Sequence, residues 1–400
     1  MLDFAQVAPQ VAQFSLDYAR TTGALRHALA EAESRLRRSA PSWETVAAKA
    51  ATSHTSWLMP EWHGQPDTAV AAPVAPSSYT ALAVDGSQIV ADRHDLALCF
   101  LINIGTVALR YGERSEASLR SRPDLAAPDE SLLSDFPGDE EPIAPKRLAM
   151  HRALREMAAL ADLVVDEGRS APTPSVAMCD GSLILWPLET ERSAEYRTSV
   201  LERFQSSLDT ARAARVPVAS YVSRPMSRDV VNSLRIAACP FDQADCERNC
   251  RASTRPRPEL VAPPCAGTER VTDAMLFGGM LRPGDRSAVF RSGSRILNQY
   301  DPPNRIAFFY LNAGPEIARV EVPAWVADDA GLLDLTLAAV YDQARKGGGY
   351  PVALAEAHEL AIVRGADREA LFRLMERQFA PAGLPIGTSQ KALAKRLRRI

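Results

Sequence analysis

The chain has 400 residues, of which 46% are hydrophobic and 24% are charged, and its formal net charge is −3. This length predicts two or three structural units, and the slight acidity confines any nucleic-acid-binding surface to a local basic region. There is no apolar run long enough for a transmembrane helix and no basic-then-apolar signal layout, so we expect a cytoplasmic protein with no membrane partner.

In chain order, the first predicted elements are helices, which cover residues 1–57. Two apolar segments, Tyr79–Val90 and Leu96–Tyr111, then predict a β-hairpin with its turn at 92–95, between Pro-containing loops near 60–78 and 122–145. Further helices are predicted at Leu148–Val165, Tyr196–Ala214, Asp229–Ala237, 329–345, 351–363 and 367–380, and further strands at 176–186, Val216–Ser223, Ala288–Arg291, Arg305–Leu311 and Ile317–Val322. This order predicts an α/β fold with a partly antiparallel sheet.

The most informative pattern is a motif that occurs twice, each time after an apolar segment. Residues 81–87 read Ala-Leu-Ala-Val-Asp-Gly-Ser, and residues 176–182 read Val-Ala-Met-Cys-Asp-Gly-Ser. Each motif places an Asp, Asp85 or Asp180, after a buried strand, and its Gly and Ser favour a turn. One Asp in this position is commonly a plain turn residue. If the two strands are neighbours, however, the carboxylates converge, as a site for hard divalent cations requires.

A third carboxylate is expected from the helix before the second motif. Glu156 shares a helix face with Leu160 and Leu163, so its side chain is expected to point partly inward. Its rivals in and after this helix are expected to be solvated; they are Asp162, Asp166 and Glu167.

A fourth group is expected near the C-terminus, after the glycine run at 347–349. Tyr350, Leu354, His358 and Ile362 recur every four residues and form one row on a predicted helix. His358 in such a row is either a core residue or a ligand. The glycine run is not followed by Lys-Ser or Lys-Thr, so it does not indicate a P-loop.

Several motifs together resemble the NurA-type nucleases, which act at DNA ends beside a hexameric HerA-type ATPase. The resemblance spans roughly residues 79–365 and rests on Val84-Asp85-Gly86-Ser87, Asp180-Gly181-Ser182-Leu183, Ser220-Tyr221-Val222-Ser223-Arg224-Pro225, Arg319-Val320-Glu321-Val322-Pro323-Ala324-Trp325 and Gly349-Tyr350-Pro351 with Glu356-Ala357-His358. None of these motifs is diagnostic alone, but all five occur in the order found in the family.

The resemblance implies an RNase H-like core, Mn²⁺- or Mg²⁺-dependent DNA hydrolysis, and a ring-like homodimer with DNA in its channel. The catalytic positions that it implies are Asp85, Glu156, Asp180, Tyr350 and His358. Asp85, Glu156, Asp180 and His358 would hold the metal or position water, and Tyr350 would contact the phosphate. The expected function is hydrolysis at DNA ends, by single-strand endonuclease or 5′–3′ exonuclease action, during double-strand break resection in the nucleoid.

Two other functions remain open at this point. One is a non-catalytic DNA-end clamp or ATPase adaptor, although such a protein does not need convergent acids. The other is an RNase H-like nuclease acting on RNA or hybrids, since the same acids hydrolyse either backbone.

A separate cluster of cysteines lies in the Pro- and Arg-rich segment 239–270, which is expected to be an insertion without regular structure. Cys239, Cys246, Cys250 and Cys265 have the spacing C-x6-C-x3-C-x14-C. In a cytosolic protein this density favours a metal over disulfides, and four thiolates suit either Zn²⁺ or a [4Fe–4S] cluster. Free or redox-paired thiols are the alternative.

The predicted organisation is an N-terminal helical region at 1–75 for dimerisation or partner docking, a nuclease domain at 76–380 that contains the insertion, and a basic tail at 381–400. Arg35, Arg37 and Arg38 form a basic run on the first helix, either as a solvated face or as a surface for DNA or the ATPase. The basic tail is likewise expected to be either a solvated face or a surface for DNA or the ATPase.

Overall fold

The computed structural model describes residues 3–90, 99–126, 145–168, 173–250 and 263–381. The turn predicted at 92–95 and the predicted basic tail at 391–400 lie outside the described residues. The helices are α1 (Phe4–Ser39), α2 (Trp43–Ala51), α3 (Pro145–Leu163), α4 (Ala194–Ala213), α5 (Asp229–Ala237), α6 (Cys246–Asn249), α7 (Asp273–Gly278), α8 (Ala324–Ala327), α9 (Ala330–Lys346), α10 (Val352–Ala361) and α11 (Gly365–Phe379).

The strands are β1 (Glu61–Trp62), β2 (Ala69–Ala71), β3 (Tyr79–Val90), β4 (Phe100–Tyr111), β5 (Glu116–Ala126), β6 (Ser175–Asp180), β7 (Val218–Val222), β8 (Asp285–Ser287), β9 (Phe290–Arg291), β10 (Ile306–Asn312) and β11 (Ile317–Pro323). The chain forms two compact units, neither of which is continuous in sequence. The first unit comprises Met1–Ala72, Val222–Leu297 and Ile306–Glu321, and the second comprises Pro73–Tyr221, Asn298–Arg305 and Val322–Ile400.

The second unit is built on a mixed sheet with the strand order β5-β4-β3-β6-β7. β3, β4 and β5 form an antiparallel meander, whereas β3 pairs parallel with β6 and β6 pairs parallel with β7. The central residues Ala81–Val84 of β3 are at most 1% exposed. A strand that is buried on both faces needs a continuous apolar run, which this segment supplies. The predicted mixed α/β sheet with flanking helices is therefore confirmed.

The first unit contains the short strands around β10, which pairs with both β8 and β9. Its core is apolar and includes Leu36 of α1, Leu234 of α5, Phe277 of α7 and Phe308 and Tyr310 of β10. Within this core Arg319 is 4% exposed and its Nη1 lies 2.9 Å from Asp229 Oδ2, so its charge is buried with a partner.

Three expectations about the strands are wrong. β5 occupies Glu116–Ala126, where a loop was expected from residue 122. It is an exposed edge strand without apolar alternation, and an edge strand tolerates Pro123. The second motif strand ends at Asp180 rather than at 186. The Gly and Ser of the first motif make no turn, because they lie inside β3, whose predicted bounds, Tyr79–Val90, are confirmed.

Two expectations about the first unit also need correction. The segment 239–270 contains a helical turn, α6, where no regular structure was expected. Arg35 is not on a solvated face: it is 7% exposed, pairs with Glu31 at 2.8 Å and donates to the carbonyl groups of Pro264 and Ala266. Among the described residues, no helix is long and apolar enough to cross a membrane.

Candidate active site

The two Asp-Gly-Ser motifs bring Asp85 and Asp180 to neighbouring strands. β3 and β6 run parallel, and Val84 lies opposite Cys179. The next residues along the two strands are Asp85 and Asp180, so the two aspartates are neighbours. The Asp85 carboxylate contributes to raising the pKa of Asp180, which shows that the two groups interact. The adjacency expected from the repeated motif is therefore present.

Asp85 is held by both of its oxygen atoms. Oδ1 accepts the N–H of Gly86 at 2.7 Å, and Oδ2 lies 2.7 Å from Nδ1 of His358. The Asp85 side chain is 13% exposed, whereas His358, on α10, is 57% exposed. An imidazole that gives its Nδ1–H to a carboxylate keeps Nε2 available as a proton acceptor or metal ligand.

Asp180 is held by Tyr350. The Tyr350 hydroxyl donates to Asp180 Oδ1 at 3.0 Å. The pKa of Asp180 is raised, first because its surroundings desolvate the carboxyl even though the residue is solvent-accessible, while the Tyr350 hydrogen bond lowers it. Tyr350 is positioned by Tyr221, whose hydroxyl donates to Gly349 O at 3.0 Å and whose ring meets that of Tyr350 edge-on at 5.3 Å.

Glu156 is the third carboxylate, and its environment is the least favourable for a negative charge. Its side chain is 16% exposed, and Oε1 is buried without a hydrogen-bond partner, 3.5 Å from Arg152 Nη1. Burial raises the pKa of Glu156 to about 8; Arg152 lowers it, and Asp85 and Asp180 raise it further. The three carboxyl groups therefore lie within electrostatic range of one another.

The rival acids are placed elsewhere. Asp162 and Asp166 are exposed, as expected. Glu167 is ion-paired with Arg110 and Arg120, so it is not simply solvated.

Two glycines allow the helices that carry Glu156 and His358 to lie against the sheet. A Cβ atom on Gly86 would lie 2.4 Å from Glu156 Oε1, and one on Gly105 would lie 2.3 Å from Ala357 O. Gly105 is the β4 partner of Asp85, whereas Gly86 is the next residue along β3. Because successive residues face opposite sides of a strand, α3 and α10 cover opposite faces.

The C-terminal end of α10 is fixed by side chains from β3 and β4. Asn103 Nδ2 donates to Leu360 O and Ala361 O, both at 2.9 Å, and the Ser87 hydroxyl also donates to Ala361 O. Asn103 Oδ1 accepts from Ser121 at 2.9 Å. These contacts, like that of Tyr221, were not anticipated from the sequence. Ser87 and Tyr221 belong to the quoted motifs, but Asn103 had no signal in a single sequence.

The donor set was tested for its fit to a divalent cation. In the part of the chain that the structure describes, no group of three or more His, Cys, Asp or Glu side chains is already arranged to hold a metal ion. The chemistry of the donors nevertheless fits a divalent cation. The three carboxyl groups disfavour one another's negative charge, and Glu156 Oε1 is buried without a hydrogen-bond partner.

The chain was compared with known proteins. The NurA domain family matches residues 79–363. The crystal structure of the NurA nuclease from Sulfolobus solfataricus is similar with a TM-score of 0.52 and 10% identity, covering 96% of this chain and 98% of that one. The catalytic domain of human Endonuclease V has a TM-score of 0.32 and 11% identity, and the match covers 76% of this chain and 85% of that one. LC9-RNase H1 has a TM-score of 0.23 and 10% identity, and the match covers 40% of this chain and 71% of that one. No curated protein matches the sequence. The expected α/β fold class, a mixed sheet with flanking helices as in the NurA nuclease structure, is confirmed.

Proposed function

The chain belongs to the NurA family of nucleases, and on that premise we propose that it hydrolyses phosphodiester bonds of DNA with a divalent cation, Mn²⁺ or Mg²⁺. The observation that carries the proposal is the parallel pairing of β3 with β6, which sets Asp85 beside Asp180. Glu156 of α3 is close enough to interact with both, and its buried Oε1 has no hydrogen-bond partner. Acids with raised pKa values that gather in one place are a feature of functional sites.

Asp85, Asp180 and Glu156 would hold the cation, with His358 as a further ligand or as the group that positions water. When bound, such a cation lowers the pKa of a coordinated water and neutralises charge on the phosphate. Glu156 must first release its proton, because a protonated carboxyl is a poor ligand.

The remaining residues orient the phosphate and handle the proton. With Asp85 ionised, His358 carries its proton on Nδ1, so Nε2 can accept the proton of the attacking water. The Tyr350 hydroxyl donates to Asp180, and on rotation it would donate to a non-bridging phosphate oxygen instead. Arg152, whose Nη1 donates to Gly86 O at 2.5 Å, keeps a positive charge beside Glu156.

The direct test is hydrolysis of labelled single-stranded DNA, duplex DNA and RNA by the purified full chain with Mn²⁺, Mg²⁺ or EDTA. We expect metal-dependent cleavage of DNA that Asp85→Asn and Asp180→Asn reduce by about 10³-fold or more, as removal of a central catalytic group does. Asp162→Asn is the matched control and should retain full activity. Metal-dependent cleavage that survives in Asp85→Asn would contradict the site, preference for RNA would favour the RNase alternative, and binding without cleavage would favour a clamp or adaptor.

From family membership we further propose that the protein acts as a homodimer at DNA ends, in the nucleoid, with a HerA-type hexameric ATPase. The supporting observation is the match over residues 79–363 alone. Light scattering of the purified chain tests the dimer. Co-purification with the ATPase, and a change in the rate of end digestion when ATP is added, test the partnership.

A further inference from the structure

Four cysteines of the first unit lie on three chain segments that the nuclease chemistry does not use. Cys239 follows α5, Cys246 and Cys250 begin and follow the single turn α6, and Cys265 lies before α7. All four are partly buried. Each belongs to the residues that the structure describes.

The backbone of each segment is anchored by the N-terminal helices or by α5. Lys49 of α2 donates to Cys239 O at 2.6 Å, and the N–H of Cys246 donates to His54 O at 3.0 Å. Arg35 of α1 and Arg235 of α5 both donate to Cys265 O, at 3.4 and 3.3 Å. The cysteine segments are thus held in one region of the first unit.

The sulfur atoms are also close enough to influence one another. The pKa of the Cys250 thiol is raised, first by burial and then by the Cys246, Cys265 and Cys239 thiols. The pKa of the Cys265 thiol is likewise raised, first by burial, while Arg235 lowers it and the Cys239 and Cys246 thiols raise it. These mutual effects agree with the convergence of the backbone contacts.

Two largely buried arginines lie beside the cysteine segments. The side chains of Arg35 and Arg235 are only 8% and 11% exposed, whereas their carboxylate partners Glu31 and Glu269 are 40% and 46% exposed. A buried charge needs pairing and hydrogen bonds, and an anionic centre beside these arginines would add to the pairing. Four thiolates around Zn²⁺ carry a net charge of about −2, and a thiolate-bound iron–sulfur cluster is also anionic.

We propose that Cys239, Cys246, Cys250 and Cys265 bind one thiolate-ligated metal centre, Zn²⁺ or an iron–sulfur cluster, which ties their segments to α1, α2 and α5. Binding converts the thiols to thiolates and releases their protons, with no change in the oxidation state of the sulfur. Within the described residues no three donors are yet arranged as a ligand set. The metal therefore draws the thiols together, as expected where metal binding is coupled to local folding.

The test uses the full chain, purified without oxygen, and does not depend on the proposed nuclease function. Elemental analysis should find about one zinc ion per chain or about four iron atoms with the brown colour of a cluster. Cys246→Ser and Cys265→Ser should lose the metal. Cys99→Ser and Cys179→Ser, in the second unit, are matched controls that should keep it. Asp85→Asn should also keep it while losing DNA cleavage.

A second measurement covers the case in which a cysteine variant does not fold. The wild-type chain, stripped of metal and titrated with Co²⁺, should develop the absorption of tetrahedral cobalt thiolate, and four thiols per chain should become protected from Ellman's reagent. Purified protein without zinc or iron, whose four thiols stay reactive after Co²⁺, Zn²⁺ or anaerobic iron and sulfide are added, would overturn the proposal. Disulfides between these cysteines in the anaerobic preparation would do the same and would favour a redox pair.

Discussion

At the scale of single residues, protonation of Glu156 links the stability of the metal-free protein to pH. The folded-state pKa is about 8, well above the ordinary value near 4.5, so the folded state binds the proton more tightly than the unfolded state does. Stability is then highest below the unfolded pKa, falls between about pH 4.5 and pH 8, and levels off above that. One pKa unit corresponds to about 1.4 kcal/mol, so the shift of the Glu156 pKa corresponds to a total loss on the order of 5 kcal/mol.

Glu156→Gln should remove this slope and make the metal-free protein more stable than the wild type at pH 9. Asp162→Asn, an exposed acid on the same helix, should leave the slope unchanged. Urea unfolding in EDTA at pH 5, 7 and 9 measures both effects. Parallel pH profiles for the wild type and Glu156→Gln would show that the Glu156 carboxyl is not buried as described.

A second prediction concerns Gly86, which lies close to the Glu156 side chain. A Cβ atom there would lie 2.4 Å from Glu156 Oε1 and 3.0 Å from Ile104 Cδ1. Because Oε1 is the end of a flexible side chain, we expect Gly86→Ala to displace Glu156 rather than unfold the sheet. DNA cleavage should fall by at least about tenfold with a small change in the free energy of unfolding.

The displacement can be separated from a general packing defect by a double-mutant cycle. If Gly86→Ala acts through Glu156, it should have little further effect in the Glu156→Gln background. Gly64→Ala, where a Cβ atom meets nothing within 4 Å, is the neutral control. Additive losses of activity would mean that Gly86 acts by another route.

At the scale of elements, α10 is fixed on β4 by Asn103. Asn103→Leu removes two hydrogen bonds to α10 carbonyl groups and one from Ser121. Ala361 O keeps the Ser87 hydroxyl as a donor, whereas Leu360 O loses the Asn103 donor, and a carbonyl left without a donor costs about 1–3 kcal/mol. We expect lower stability and a fall in kcat with little change in KM, because His358 shifts relative to Asp85. Ser121→Ala, which removes only the outer bond, should have a much smaller effect on kcat.

The pH profile of cleavage distinguishes an effect of Asn103 on the position of His358 from an effect on stability alone. A shift of α10 changes the contact between His358 and Asp85, so the profile should move in Asn103→Leu but not in Ser121→Ala. An unchanged profile with lower stability would reduce Asn103 to a purely structural residue.

The elements also show how far a single sequence predicts this molecule. The apolar runs before Asp85 and Asp180 predicted two buried strands, and parallel pairing then aligned the carboxylates. β5 was missed because its residues are mostly exposed on both faces, so no alternation marks it. The roles of Gly86 and Asn103 depend on which helix packs on which face, and this information is absent from local sequence.

At the scale of the whole molecule, the two metal chemistries belong to different units. The residues expected to bind Mn²⁺ or Mg²⁺ are all in the second unit, and the four clustered cysteines are all in the first. A ligand stabilises the elements that it contacts, and a concentration of 100 times Kd contributes about 2.7 kcal/mol. Local stability should therefore respond to each metal separately.

Hydrogen exchange read by mass spectrometry tests this separation. Addition of Mn²⁺ to the EDTA-treated chain should slow exchange in β3, α3, β6 and α10, and Asp85→Asn should abolish that change. Removal of a thiolate-bound metal should instead speed exchange in α1, α2 and α5 and leave the Mn²⁺ response of β3 and β6 intact. Protection by Mn²⁺ that is equal in both units, or that persists in Asp85→Asn, would contradict the placement of the cation among the three carboxylates.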